Sequence, residues 1–368
     1  MTQHIAIIGL GLIGGSLAKA LKVAHPDCII TGIDTDTQSH DIMLCESAVD
    51  YTYEALSEEA ITECTILIIA TPPSSWEALS TNMKKIALHH IELIMDVGSI
   101  KVFANRCFGD FPQFVAAHPI AGSEFSGAAF SVAELFRGKR LILTPHDKTQ
   151  RRAVQQATQF WEMLGCTVSE LDDDTHDKIY ANISHLPQFI AYASAAALLP
   201  HIGYHEHVMR FLRLAGSPPE LWIGVFERNA SLYPAAENYL QIINHMIAEL
   251  RTGTLDMTTP LQFDAALPLV PRIIASCLIG AVTIEERKNN MKMSPYAGSG
   301  FADTTHPAMT PPEDDLAGIS EHSNAVVALL EMVEQHVRDM LLAMRKADWN
   351  GLRAIMEKAQ SEYVSKLN

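Results

Sequence analysis

The chain is poor in the residues that would tie it to an oxidising compartment, a membrane or a nucleic acid. Its six cysteines (Cys28, Cys45, Cys64, Cys107, Cys166 and Cys277) are scattered without a Cys-x-x-Cys pair, and several lie in apolar runs. That usage fits reduced core residues better than a disulfide framework. No clustered Cys/His ligand set occurs either, so no metal is expected. Positive charge is scarce: 27 Lys and Arg stand against 43 Asp and Glu, for a formal net charge of −16. This balance raises the electrostatic cost of approaching phosphate, and neither nucleic acid nor an anionic membrane is an expected partner. The longest apolar run, residues 189–199, is too short to span a bilayer and is Ala-rich, as a buried helix would be. The first strand pattern begins within four residues of the N-terminus, which leaves no room for a signal peptide, and a cytoplasmic location is expected.

What the chain does have is an ordinary globular composition, 48% hydrophobic and 19% charged, and 368 residues, enough for two domains. Its first twenty residues read as a buried strand running into Gly9-Leu10-Gly11-Leu12-Ile13-Gly14 and then into a helix. In such a turn the first glycine permits the sharp bend, the second lets backbone approach a pyrophosphate, and the third lets helix and strand pack closely. The helix start, at Leu12 and Ile13, offers unpaired N–H groups to the anion. A second strand pattern ends in Asp34, twenty residues beyond Gly14, where a carboxylate can accept from both ribose hydroxyls of an adenosine. The same charge would repel a 2′-phosphate, and no Arg follows in Asp34-Thr35-Asp36, so the expected cofactor is NAD and not NADP.

Short β-rich runs at 28–33, 66–70, 93–97, 114–117, 140–144 and 166–171 alternate with helical stretches up to residue 172. This alternation predicts a Rossmann-type α/β unit, a doubly wound parallel sheet over residues 1–172 with functional residues just after the strands. Thr71 and Pro72 follow one strand beside the expected cofactor cleft. Ser99 and Lys101 follow another, in Asp96-Val97-Gly98-Ser99-Ile100-Lys101, where Ser99 is placed to cap the next helix, which would not prevent its hydroxyl from also facing the nicotinamide. His118 opens His118-Pro119-Ile120-Ala121-Gly122-Ser123, held extended by the proline at a strand end. Oxidising a hydroxyl group requires a base that titrates near neutrality, and imidazole meets that need.

These motifs, with His176-Asp177 and Ser184-His185-Leu186-Pro187 further on, resemble the prephenate/arogenate dehydrogenase family of tyrosine biosynthesis over residues 1 to about 255. The resemblance implies NAD-dependent oxidative decarboxylation of prephenate to 4-hydroxyphenylpyruvate. It makes His118 the catalytic histidine at the ring hydroxyl, Ser99 the serine beside it and His185 a second histidine of the substrate pocket, with Ser123 and Lys101 joining the substrate-binding candidates. Arg213, in Arg213-Leu214-Ala215-Gly216-Ser217-Pro218-Pro219-Glu220-Leu221-Trp222, corresponds to an arginine that binds a substrate carboxylate. Here the match departs from the family: Pro218 stands where an Asp is usual, the glycine-rich run expected before the arginine is missing, and Arg210 competes for the same role. Two other readings stay open. One is an arogenate dehydrogenase; the other is a non-catalytic NAD-binding regulator, against which the intact His118, Ser99, His185 and Arg213 argue.

Residues 173–368 read as an all-α domain in which Pro187 should kink a helix next to His185. The missing glycine-rich run appears later, as Gly298-Ser299-Gly300-Phe301-Ala302-Asp303. Aligning the two stretches suggests an internal repeat of about 184–255 on 268–352. Pro187 pairs with Pro271 at an offset of 84 and Arg213 with His306 at an offset of 93, the nine-residue difference being about the length of the loop the first copy lacks. The second copy has Leu269 opposite His185 and Asp315 opposite Trp222. Family members resemble one another in dimerising through this domain and receiving the glycine-rich loop from the partner. A tandem copy therefore implies either a monomer with a pseudo-dimeric helical domain or a homodimer.

Overall fold

The computed structural model describes residues 3–122, 125–201, 204–252, 263–309 and 318–367. The chain divides into two compact units, Met1–Asp177 and Lys178–Asn368; the change of character expected at 172–173 lies five residues before that division.

The first unit is a sheet of eight strands: β1 (His4–Ile8), β2 (Ile29–Ile33), β3 (Tyr51–Tyr53), β4 (Ile66–Ile69), β5 (Leu93–Asp96), β6 (Phe114–Pro119), β7 (Arg140–Thr144) and β8 (Thr167–Glu170). Their spatial order is β3-β2-β1-β4-β5-β6-β7-β8. Neighbours from β3 through β6 are parallel, and the strand order reverses between β1 and β4, the place where doubly wound sheets open a ligand crevice. In one respect the sheet differs from the wholly parallel one expected: β7 pairs antiparallel with β6, and β8 follows β7. The cause is the connection between β6 and β7. Among its described residues it holds two short 3-10 turns, Ala128–Phe130 and Ala133–Phe136, and no α-helix that could carry the chain back across the sheet for a parallel return. β4 and β5 are buried along their whole length; β4 accordingly reads as an unbroken apolar run, as strands covered on both faces do, and β5 is apolar up to the buried Asp96 at its end.

Helix α1 (Leu12–Ala24) follows β1, α2 (Lys101–Phe108) follows β5, and α3 (Asp173–Tyr180) follows β8. In the second unit come α4 (Leu186–Leu198), α5 (Pro219–Arg228), α6 (Leu232–Thr252), α7 (Val270–Asn289), α8 (Ser299–Thr305), α9 (Ser323–Arg345) and α10 (Trp349–Leu367). No strand occurs among the described residues of this unit. Between α3 and α4 the chain makes one π turn, Ala181–His185. Pro187 explains it: without an N–H it cannot satisfy the carbonyl four residues back, and the wider turn absorbs the irregularity where a kink was expected. Every residue of α4 is buried, in keeping with a helix apolar all round. It packs against α9 and α10, while α6 packs against α9 and α7. Residues 263–289 are long and apolar enough to cross a membrane by length and composition alone, but most of that stretch is buried inside the protein, as in the core helix of a bundle.

One expectation is corrected by burial. Lys101, a candidate for binding substrate, has no exposed surface. Its ammonium turns into the protein and donates to Asp96 Oδ2 (2.5 Å) and to the Ala117 carbonyl (2.7 Å), and Asp96 Oδ1 accepts from the Ala117 N–H (3.2 Å). Burial works against both charges, pushing the Asp96 carboxyl up and the Lys101 ammonium down from their ordinary values, and their mutual attraction offsets part of this. Lys101 thus ties α2 and β5 to the residue before His118 and is not available to a ligand. Removing one partner of a fully buried pair typically costs about 3–5 kcal/mol, whereas replacing both is far milder. Lys101→Met is therefore expected to lower stability to urea by that order, and adding Asp96→Asn to recover much of it. A Lys101→Met protein of undiminished stability would contradict this role.

Candidate functional site

The glycine turn is shaped by contacts a side chain could not make. Gly9 has φ +97°, and a Cβ there would lie 2.6 Å from the Ala70 carbonyl oxygen; one at Gly14 would lie 1.8 Å from the Gly9 carbonyl oxygen. The first glycine therefore makes the bend, and the third brings α1 against it. At Gly11 a Cβ would meet nothing within 4 Å, so backbone there borders open space. α1 begins at Leu12 with no side-chain cap and no acid in its first turn, and Leu12 and Ile13 are half-buried beside that opening. Its leading N–H groups are thus arranged as an anion site. Asp34, just past β2, accepts from the Leu10 N–H through Oδ2 (2.6 Å) and from the Asp36 N–H through Oδ1 (2.9 Å). It braces the turn, and an ionised carboxylate retains lone pairs for further donors. Asp36 sets a second acidic side chain next to it and caps the 37–45 helix through Gln38 N and Ser39 Oγ. These residues fit a dinucleotide. The loop after β4 is closed on itself: Ser75 Oγ lies 2.9 Å from Thr71 Oγ1 and from the Pro72 carbonyl, and Trp76 Nε1 donates to the Thr71 carbonyl (3.0 Å). Thr71 is half-buried and Pro72 exposed.

His118, 9% exposed, lies near the carboxyl end of β6 and belongs to a relay. Its Nδ1 is 2.9 Å from Nε2 of the wholly buried His176, and His176 Nδ1 is 2.8 Å from Asp177 Oδ1. The Asp177 carboxylate also accepts from the backbone N–H groups of Lys101 (2.7 Å) and Val102 (3.1 Å), the first turn of α2. An acceptor at the far end assigns the protons along the chain. His176 donates from Nδ1 and accepts at Nε2, so His118 donates from Nδ1 and carries its lone pair on Nε2. This is the logic by which an orienting acid fixes a general base. Ser99 is half-buried in the turn before α2. It is not the capping residue: that position is Ile100, and Asp177 caps the helix from a distance.

In the helical unit His185 is wholly buried in the π turn. Asn229 Nδ2 donates to its Nδ1 (2.9 Å), and the orientation of the Asn amide is fixed because its Oδ1 accepts from Ser231 N (3.0 Å). The neutral ring therefore carries its proton on Nε2, and Trp222 stands edge-on to it at 6.1 Å. Arg213 begins a 3-10 turn, Arg213–Gly216, that α4 holds through Gln188 Nε2 to the Leu214 carbonyl (2.7 Å) and Tyr192 OH to the Ser217 carbonyl (2.5 Å). Its guanidinium, 20% exposed, pairs with the Asp303 carboxylate. Arg210, its competitor, is exposed on the 206–211 helix. Ser123 lies outside the described residues.

Residues 17–170 match the prephenate dehydrogenase nucleotide-binding domain, and residues 172–263 match the prephenate dehydrogenase dimerization domain. The chain belongs to the prephenate dehydrogenase family. It is similar to the cyclohexadienyl dehydrogenase of Zymomonas mobilis, 31% identical over 264 residues that span 68% of this chain and 86% of that protein. To the prephenate dehydrogenase of Bacillus subtilis it is 32% identical over 246 residues, 62% of this chain and 65% of that one. Among solved structures, the prephenate dehydrogenase of Aquifex aeolicus in complex with hydroxyphenyl propionate and NAD+ matches with a TM-score of 0.61 and 27% identity, covering 68% of this chain and 91% of that chain.

Sequence reasoning about this family member named His176-Asp177 only as part of a motif and gave neither residue a role. The available signal was an acid directly after a histidine in the helix that follows the last strand. Asp177→Asn should keep the cap partly satisfied while disturbing the tautomer of His176, and so should lower kcat by roughly 10-fold or more with the Kd for NAD little changed. Unchanged kcat in that variant would remove the relay from the mechanism.

Proposed function

We propose that this chain oxidises and decarboxylates prephenate to 4-hydroxyphenylpyruvate with NAD. The observation that carries the reading is the His118–His176–Asp177 relay, on the sheet end that carries the glycine turn. NAD, when bound, supplies the hydride acceptor. His118 Nε2 takes the proton of the ring hydroxyl as hydride leaves the same carbon, which creates a carbonyl conjugated through the ring double bonds to the carbon bearing the carboxylate. Carbon dioxide then departs with the ring becoming aromatic, and no further catalyst is needed for that step. Ser99 is a hydroxyl partner for the reacting group, and Asp34 with Gly9, Gly11 and Gly14 holds the dinucleotide. To Arg213 of the helical unit the reading gives a substrate carboxylate, for which a planar guanidinium is suited. His185 is its second, less accessible candidate for substrate.

Side-by-side steady-state assays on prephenate and arogenate test the substrate; a chain that turns over arogenate alone would overturn this choice. His118→Asn is expected to lower kcat by about 10²- to 10⁴-fold while NAD binding stays nearly intact, because only the proton acceptor is lost. Asp34→Ser combined with Thr35→Arg is expected to shift preference toward NADP by removing a repulsion and adding a phosphate partner. A wild-type protein that already prefers NADP would refute the premise.

A further inference from the structure

The dimerization-domain match ends at residue 263, yet the helical unit continues for about as long again, and its two stretches are built alike. In the first, a non-α turn (Ala181–His185) leads into α4 with Pro187 in its opening turn; a 3-10 turn follows at Arg213–Gly216, and then, after α5, the long helix α6. In the second, a non-α turn (Leu267–Leu269) leads into α7 with Pro271 in its opening turn; a 3-10 turn follows at His306–Met309, and then the long helix α9. The packing exchanges the two sets. α4 of the first lies on α9 of the second, α7 of the second lies on α6 of the first, and α6 and α9 lie on each other. Reciprocal contacts of this kind are the mark of a two-fold isologous interface, here formed within one chain.

The second stretch also reaches the residue to which substrate binding is given. Its α8 packs against the π turn that carries His185, and from α8 Asp303 pairs with Arg213, ninety residues earlier in the chain. Gly300 of the same helix lies close to Leu214, where an added Cβ would stand 3.4 Å from a Leu214 methyl. A guanidinium has five N–H donors in a rigid planar fork, so a carboxylate paired with one of them fixes the plane and direction of the others.

We propose that the second half of the helical unit is a built-in partner, which takes the place of a second subunit and supplies Asp303 as a positioning residue for Arg213. The proposal rests on the reading of Arg213 as the ligand of a substrate carboxylate. Arg213→Ala is expected to raise KM for prephenate on the order of 10-fold or more. Asp303→Asn should raise it by roughly threefold to tenfold with kcat within about twofold, Asp303→Glu should restore it, and Asp303→Asn should add little in an Arg213→Ala background. A merely structural Asp303 would lower stability without this split or this rescue. If Arg213→Ala raises KM and Asp303→Asn does not, the positioning role fails while the substrate reading stands; if Arg213→Ala leaves KM unchanged, the substrate reading fails first. Light scattering of the full chain should give the mass of one chain at micromolar concentration, and a stable dimer would overturn the built-in partner.

Discussion

The Asp177 carboxylate is the point on which the surroundings of His118 depend. One side chain accepts from His176 and from two backbone N–H groups at the start of α2, where the partial positive charge of a helix end favours an anion. It therefore fixes two things at once: the direction of α2 relative to α3, and the tautomer passed through His176 to His118. The Asp96–Lys101 pair completes the arrangement from the other side by tying β5 and α2 to Ala117, the residue before His118. His118 is thus placed by side chains from β5, α2 and α3 as well as by its own strand. A ring held from so many directions keeps its orientation without help from a ligand.

Much of the first unit was legible because its signals are local. The glycine spacing, the acid at the end of the second strand and the alternation of strands with helices all lie within short windows, and the structure puts Gly9, Gly14 and Asp34 where those windows imply. What was not legible depends on partners far apart in sequence. His118 and His176 are 58 residues apart, and Asp177 and the Lys101 N–H are 76 apart, so no periodicity joins them. Lys101 was misread for a related reason. A lysine in a functional motif suggests a hand for an anion, and only tertiary burial reveals that its anion is Asp96. β3 was missed because three residues carry too little pattern, and the reversal at β7 because strand direction is set by what the connecting segment lacks.

In the helical unit the composition of residues 189–199 correctly announced a buried helix, and Pro187 correctly announced an interruption beside His185. The form of that interruption, a single wide turn in place of a kink, follows from neighbours that hold both flanking helices. The polar atoms of α4 are used inward as well, with Gln188 and Tyr192 satisfying carbonyls of the turn that begins at Arg213. An apolar helix with two such groups both fills the core and specifies the register of the segment beside it.

The sheet ends in two small strands, and this bears on how the protein behaves when crowded with copies of itself. An unpaired edge is a template for further pairing unless it is short, twisted or charged. β3 is three residues long and β8 four, and β8 carries Thr167, Ser169 and Glu170 around a single Val168. The most apolar strands, β1, β4 and β5, which would be hazardous at an edge, all lie inside. Colloidal safety is thus written into strand order itself, with the stickiest segments placed where no other molecule can reach their backbones.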